Sequence, residues 1–370
     1  MGGMSKNPIK IAEGASELET RQFFKIARDR VQRIQRISTL PMPVPFDVEL
    51  ARDSFKNRQN VIDFLYEKSP GEWPDQAEEL AEIHGEWIRH NSVIYGSPPE
   101  TIIYQLHGGG YLFGSASINR NMARRLSKNS NALVFTIDYR LSPQNPYPCP
   151  VIDAVSGYLH IKEKYPNAQI IIEGDSAGGN LTLATAMVIR DMGIDPPIAL
   201  YLISPWTDLT HSQPSFIENA NTDYLPLQNA IDGFLPYRKQ LYTADCFLKE
   251  DYISPLWAKN LTQLPPMLIQ CGGSEMLRDE VIAFATLAFH QDPTNQIILE
   301  EYLNNAHVFQ LFYLNKGAVV ALKRAGDFIR TLVGYGGFGL DNVHSILDFN
   351  GKIISSQPHW FTRREMKAKL

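Results

Sequence analysis

Three stretches of this chain could together perform acyl-transfer chemistry: a serine between glycines, a glycine run behind a histidine, and a late pairing of carboxylate and histidine. The serine stands in Gly174-Asp175-Ser176-Ala177-Gly178, which fits G-x-S-x-G. Before it, the apolar run from Gln169 to Glu173 reads as a buried strand, and after it Leu181 to Ile189 reads as a helix. A serine pinned between strand and helix sits on a sharp, strained turn. Glycines flank it because larger side chains would collide with neighbouring backbone. The turn exposes the hydroxyl, and the helix N-terminus favours negative charge developing beside it. The five residues alone would also fit an ordinary Gly/Ser turn. The strand-turn-helix setting favours a nucleophile.

The second stretch supplies what a serine nucleophile needs for charge stabilisation. The strand-like Thr101-Ile102-Ile103-Tyr104-Gln105-Leu106 ends in His107-Gly108-Gly109-Gly110. Glycines let the backbone approach a substrate oxygen. The N–H groups of Gly108 and Gly109 are therefore expected to join that of Ala177, the residue after the serine, in an oxyanion hole. Losing one such donor typically costs about 3 kcal/mol of transition-state stabilisation.

A serine of this kind needs a base and an orienting carboxylate, here expected in the order Ser, acid, His. Of the nine histidines, His84, His90, His107 and His160 precede the serine. His211 follows too early, before any later core strand. His290 lies within the helical run that begins at Val281, and His344 and His359 fall in a C-terminal extension. His307 remains, in the loop after the strand-like run Gln296 to Tyr302, and is the expected general base. For the acid, the strand-like run Pro266 to Cys271 is followed by Glu275, Asp279 and Glu280. The latter two open the next helix, where acidic residues commonly cap and complement the dipole. Glu275, in the loop directly after the strand, is favoured over Asp279.

At these residues the chain resembles the hormone-sensitive-lipase family of α/β-hydrolases, particularly fungal members related to steryl acetyl hydrolases. The likeness covers roughly residues 76–333. His107-Gly108-Gly109-Gly110 matches the family's oxyanion loop, Gly174 to Gly179 its nucleophile box, and His307-Val308-Phe309 its base motif. Glu275-Met276-Leu277-Arg278-Asp279-Glu280 aligns with the family's acid motif and independently selects Glu275, although aspartate is commoner there. Gln144 stands where many members carry glutamate. The resemblance implies an α/β-hydrolase fold, with a mostly parallel central sheet, helices on both faces and a helical cap. It also implies a carboxylester hydrolase acting through Ser176, Glu275 and His307.

Stepping outward, core strands alternate with helices, which calls for a largely parallel sheet covered on both faces. Residues 76–333 are expected to form the catalytic domain, and residues 206–253 a lid inserted into it. The lid's Phe216, Tyr224, Leu225, Phe234, Tyr237 and Tyr242 would pack over an apolar pocket. Residues 1–75 are expected to precede the first strand as a cap segment. Within them, Leu18 to Leu40 has a helical pattern with five arginines among its apolar residues. A basic amphipathic helix of that kind can lie on a membrane surface, but a cap over the acyl pocket is the preferred reading.

Residues 334–370 form a C-terminal extension ending in Ala368-Lys369-Leu370, similar to the Ser-Lys-Leu peroxisomal address. A peroxisomal import receptor and a peroxisomal location are therefore expected, with the cytoplasm as the alternative.

Composition narrows the remaining classes. A net charge of -5 offers nothing to nucleic acid, and a hydrophobic fraction of 44% supports a sizeable core. No apolar run is long enough for a spanning helix, and Met1 to Lys6 lacks the core of a secretory leader. Cys149, Cys246 and Cys271 are odd in number and suggest neither disulfides nor zinc, so a reduced compartment fits. The partner is expected to be a small-molecule ester, and the chemistry requires no cofactor or metal. An acyltransferase, lactonase or cyclase could use the same site. A non-catalytic receptor on this fold is disfavoured, because plant receptors resembling the family lack the histidine retained here as His307.

Overall fold

The computed structural model describes residues 43–69, 74–93, 99–223, 225, 241–312 and 314–357. The expected helix at Leu18 to Leu40, the lid aromatics Tyr224, Phe234 and Tyr237, His359 and the terminal tripeptide lie outside them.

A ten-stranded sheet runs through the described residues. In chain order its strands are β1 (Val48–Lys56), β2 (Glu82–His90), β3 (Thr101–Leu106), β4 (Leu133–Asp138), β5 (Gln169–Asp175), β6 (Ala199–Ile203), β7 (Met267–Gly272), β8 (Ile297–Tyr302), β9 (Val343–Leu347) and β10 (Ile353–Gln357). In space they run β1-β2-β4-β3-β5-β6-β7-β8-β9-β10. The pairings from β4 to β9 are parallel, and those of β1, β2 and β10 are antiparallel. Strand β5, which leads into Ser176, sits centrally between β3 and β6.

Strand alternation divides the interior in two. Ile102, Tyr104, Ile170 and Ile172 enter one buried cluster, whereas Ile103 and Ile171 enter the other. Successive side chains on a strand point to opposite faces, so a central parallel strand must be apolar on both. Seven helices among the described residues complete the frame: α1 (Gln59–Lys68), α2 (Arg120–Ser130), α3 (Cys149–Lys164), α4 (Ala177–Asp191), α5 (Ser215–Glu218), α6 (Arg278–Gln291) and α7 (Lys316–Leu332). Residues of α3, α4 and α6 pack in the first cluster, and those of α2 and α7 in the second. Helix α7 starts where the Asn315 side chain accepts from Ala318 N, and α2 stops at Asn131 in the left-handed region.

Two expected boundaries need correction. The sheet begins at Val48 within residues 1–75, because β1 pairs with β2 along its whole length. It also extends past residue 333: β9 adds in parallel to β8, and β10 closes a hairpin on it. Partly polar edge strands carry a weak alternation signal, which is why these were missed. In the lid insertion, Trp206, Leu209, Tyr242 and Ile253 belong to the main core. Among the described residues, no helix is long and apolar enough to cross a membrane, and no group of three His, Cys, Asp or Glu could hold a metal.

Candidate active site

Ser176 occupies the turn between β5 and α4 with φ 55° and ψ -119°, a left-handed conformation that non-glycine residues seldom adopt. Its neighbours make that turn possible. A Cβ at Gly178 would lie 2.0 Å from Leu106 O, and one at Gly174 2.2 Å from Gly178 O. Backbone bonds fix the serine on both sides, with Ser176 N donating to Ile203 O (2.9 Å) and Trp206 N donating to Ser176 O (3.0 Å). One turn into α4, Asn180 Nδ2 donates to Trp206 O (2.7 Å) and Ile253 O (2.9 Å). A single buried amide thus pins both ends of the 206–253 insertion to α4.

His307 lies in the loop after β8, just before Val308 at φ 45°. Its Nε2 stands 2.9 Å from Ser176 Oγ, so residues 131 apart in sequence meet at hydrogen-bonding distance. Its Nδ1 faces Glu275 Oε2 at 3.9 Å. That is an ion-pair separation, longer than a hydrogen bond, of the kind that tightens in substrate complexes. Glu275 is fully buried. Its Oε2 accepts from Ser204 Oγ (2.6 Å) and Gly272 N (3.0 Å). Burial pushes the carboxyl up to about 8, with the charges of Asp223 and Glu301 adding to the rise while the Ser204 and Gly272 hydrogen bonds oppose it.

The two rival carboxylates are engaged elsewhere. Asp279 accepts from Ser215 N (3.1 Å) and Arg278 Nε (2.9 Å). Buried Glu280 accepts from Thr207 N (2.7 Å) and Asp208 N (3.1 Å). Both anchor the lid insertion.

The expected oxyanion donors are corrected at one position. Gly108 N donates to Asp175 Oδ1 at 3.0 Å. An amide has one proton, so this donor is already committed and Gly108 leaves the set. Asn119 Nδ2 donates to the same oxygen at 2.9 Å. Asp175 itself is pushed up to about 6 by burial, against the pull of these two hydrogen bonds. Beyond Gly108, Gly109 and Gly110 have φ 119° and 62°, and a Cβ at Gly109 would meet Phe113 O at 1.9 Å. Ala177 opens α4, where the first amides have no partner within the helix.

His107 braces the same loop. Its Nδ1 lies 2.7 Å from Gly108 O, and its ring stacks on Tyr139 with 4.2 Å between centroids. Tyr139 OH donates to His107 O at 2.6 Å. Burial pushes the imidazole down to about 4, so it stays neutral at ordinary pH.

Sequence reasoning missed Asp175, Asn119, Ser204 and Asp223. Asp175 sits inside the nucleophile box and was legible there. The other three carry no signal along the chain, since each meets its partner only after folding.

A family model described as the alpha/beta hydrolase fold matches residues 103–311. An acetyl-hydrolase of Streptomyces hygroscopicus is 32% identical over 293 residues, 78% of this chain and 92% of that protein. An esterase of Acinetobacter venetianus is 30% identical over 235 residues, 63% of this chain and 74% of that protein. Among solved structures, an esterase from the bacterial hormone-sensitive lipase family superposes with TM-score 0.68 at 27% identity, covering 86% of this chain and 100% of that one. The esterase EstE5, in a crystal soaked with p-nitrophenyl butyrate, gives TM-score 0.68 at 27% identity, covering 86% of this chain and 99% of that one.

Proposed function

The chain belongs to the α/β-hydrolase fold family and is a carboxylic ester hydrolase of the hormone-sensitive-lipase type; from that premise we propose that it cleaves small to medium apolar esters through an acyl-enzyme on Ser176. The 2.9 Å contact between Ser176 Oγ and His307 Nε2 carries the assignment of roles. Ser176 attacks the ester carbonyl while His307 takes its proton, and Glu275 orients the imidazole and stabilises the imidazolium. The amides of Gly109, Gly110 and Ala177 receive the oxyanion. His307 then protonates the departing alcohol. Water repeats the sequence, with His307 as base, and releases the acid. Short acyl chains are favoured by the acetyl-hydrolase name of one relative and the butyrate ester soaked into one structural neighbour.

The test is turnover of p-nitrophenyl acetate and butyrate, with a fluorophosphonate to label the nucleophile. Ser176→Ala is expected to lose roughly 10⁴-fold or more in kcat and all labelling, with its melting temperature close to that of the wild type. Retained turnover or labelling in the variant removes Ser176 from the mechanism. Faster turnover of esters longer than octanoate would overturn the short-chain reading.

A further inference from the structure

Among the described residues, the insertion reaches the Glu275 loop and His307 through the stretch from Ser215 to Asp223. Four side chains there reach the loop that carries Glu275. Ser215 Oγ donates to Met276 O (2.8 Å), Asn219 Nδ2 to Glu275 O (2.8 Å), and Thr222 Oγ1 to Ser274 O (3.0 Å). The fourth, Asp223, accepts from Met276 N at 2.9 Å through Oδ2. Its other oxygen, Oδ1, accepts from His307 N at 3.1 Å. One carboxylate therefore holds an amide from the acid loop and an amide from the base residue itself. Phe216, Ala220 and Leu225 pack around buried Met276 and seat the stretch on that loop.

A second clamp spans the same two loops from the sheet side. Ser204 Oγ donates to Glu275 Oε2 and accepts from Val308 N at 3.1 Å. The two clamps differ in kind. Ser204 is neutral and comes from the end of β6, in the rigid core. Asp223 is a carboxylate and comes from the lid.

We propose that Asp223 is a positioning residue for ester hydrolysis, setting the spacing between Glu275 and His307 from the lid and placing a second negative charge behind that pair. This rests on the triad reading above. The 3.9 Å between Glu275 Oε2 and His307 Nδ1 means that a shift of less than an ångström decides whether the two hydrogen-bond. Misplacements of about 1 Å can cost on the order of 100-fold in rate. The arrangement also ties the spacing of Glu275 and His307 to Asp223, which cannot shift without disturbing both amides.

The test uses the full chain, with p-nitrophenyl acetate as substrate. In Asp223→Asn one oxygen becomes a donor facing a backbone donor, and the charge is lost. We expect kcat to fall by roughly 10- to 100-fold, with KM within about 2-fold of wild type because no substrate contact changes. The acid limb of kcat/KM against pH should also move to lower pH. The sign follows from the charge: Asp223 raises the Glu275 carboxyl and favours a cation on His307, so its removal lowers the titration of the pair. Glu301 and Cys271, which also face Glu275, and Arg278 and Asp279 beside them, are unchanged in the variant. Asp223→Glu keeps the charge and should keep the wild-type acid limb even where kcat falls.

Fluorophosphonate titration counts folded sites, so that unfolding cannot mimic slow chemistry. Wild-type kcat and acid limb in Asp223→Asn would overturn the proposal. So would a loss of kcat that is equal in both variants with neither acid limb moved, since that pattern marks a purely structural residue. If Asp223→Asn does not fold, Asp223→Glu decides alone: an acid limb displaced despite the retained charge overturns the proposal. Turnover by wild type, abolished in Ser176→Ala, keeps the triad reading standing whichever way Asp223 falls.

Discussion

Ser176 is held by main chain, in its own turn and from the end of β6, whereas Glu275 and His307 are held by side chains from two distant segments. At the elbow the constraints are main-chain contacts: two glycines whose missing Cβ atoms leave room for Leu106 and Gly178 backbone, and a strand and helix on either side. On the other side, Glu275 depends on Ser204, and both loops depend on the lid stretch that ends in Asp223. Backbone geometry fails all at once when disturbed, because close-packed main chain has nowhere to move. Side-chain clamps fail by degrees, because each hydrogen bond to a charged group contributes only about 1.5–3 kcal/mol. The two halves of the site should therefore answer mutation differently.

The largest effect is expected at the elbow. Gly178→Ala places a Cβ 2.0 Å from Leu106 O and should cost more than about 4 kcal/mol, enough to deplete folded protein in expression and thermal melts. A soluble variant with wild-type melting would show that the elbow yields more readily than its geometry implies.

Next comes the acid. Glu275→Gln should lower kcat by roughly 10²- to 10⁴-fold while the protein stays folded. Asp279→Asn should change kcat less than about 10-fold and act mainly on melting temperature, since Asp279 anchors Ser215 rather than His307. The reverse ordering in steady-state kinetics would transfer the acid role to Asp279.

A smaller change separates the two clamps by sign. Ser204→Ala removes a hydrogen bond that favours the charged form of Glu275. It should lower kcat by about 10-fold and move the acid limb of kcat/KM to higher pH, opposite to Asp223→Asn. Shifts in the same direction would show that charge at the pair does not govern the limb.

A last effect concerns stability. The folded carboxyl of Glu275 titrates at about 8 against 4.5 when free. Between those values the folded state holds the proton more tightly than the unfolded state, so this residue's contribution to stability declines as pH rises through the window. Glutamine has no such proton. The melting temperature of Glu275→Gln relative to wild type should rise from about pH 4.5 to about pH 8 and then level off. A difference that stays flat with pH would place Glu275 in a more polar setting than its burial indicates.

The same division runs through what could be read along the chain. Central strands such as Ile170 to Ile172 announced themselves as unbroken apolar runs, while the edge strand Val48–Lys56 and the hairpin of β9 and β10 did not. An edge strand is half wet, and its mixed side chains give no periodic signal that distinguishes it from loop. Gly108 was misassigned because a glycine run shows that backbone comes close to something, but not which amide is already taken.

By itself, the amino-acid sequence determined the elements whose signals are local: the strand-turn-helix around Ser176, the glycine loop after β3, the alternation of strand and helix, and the order in which Ser176, Glu275 and His307 follow their strands. Those depend on steric limits and periodicity acting over a few residues, which are written in consecutive letters. Tertiary structure alone decided that Asp175 takes the Gly108 amide, that Ser204 steadies Glu275, and that Asp223 reaches both Met276 and His307. Each of these is a polar contact between segments far apart in the chain. Its existence depends on sub-ångström placement by the packed sheet, which no spacing of residues along a sequence encodes.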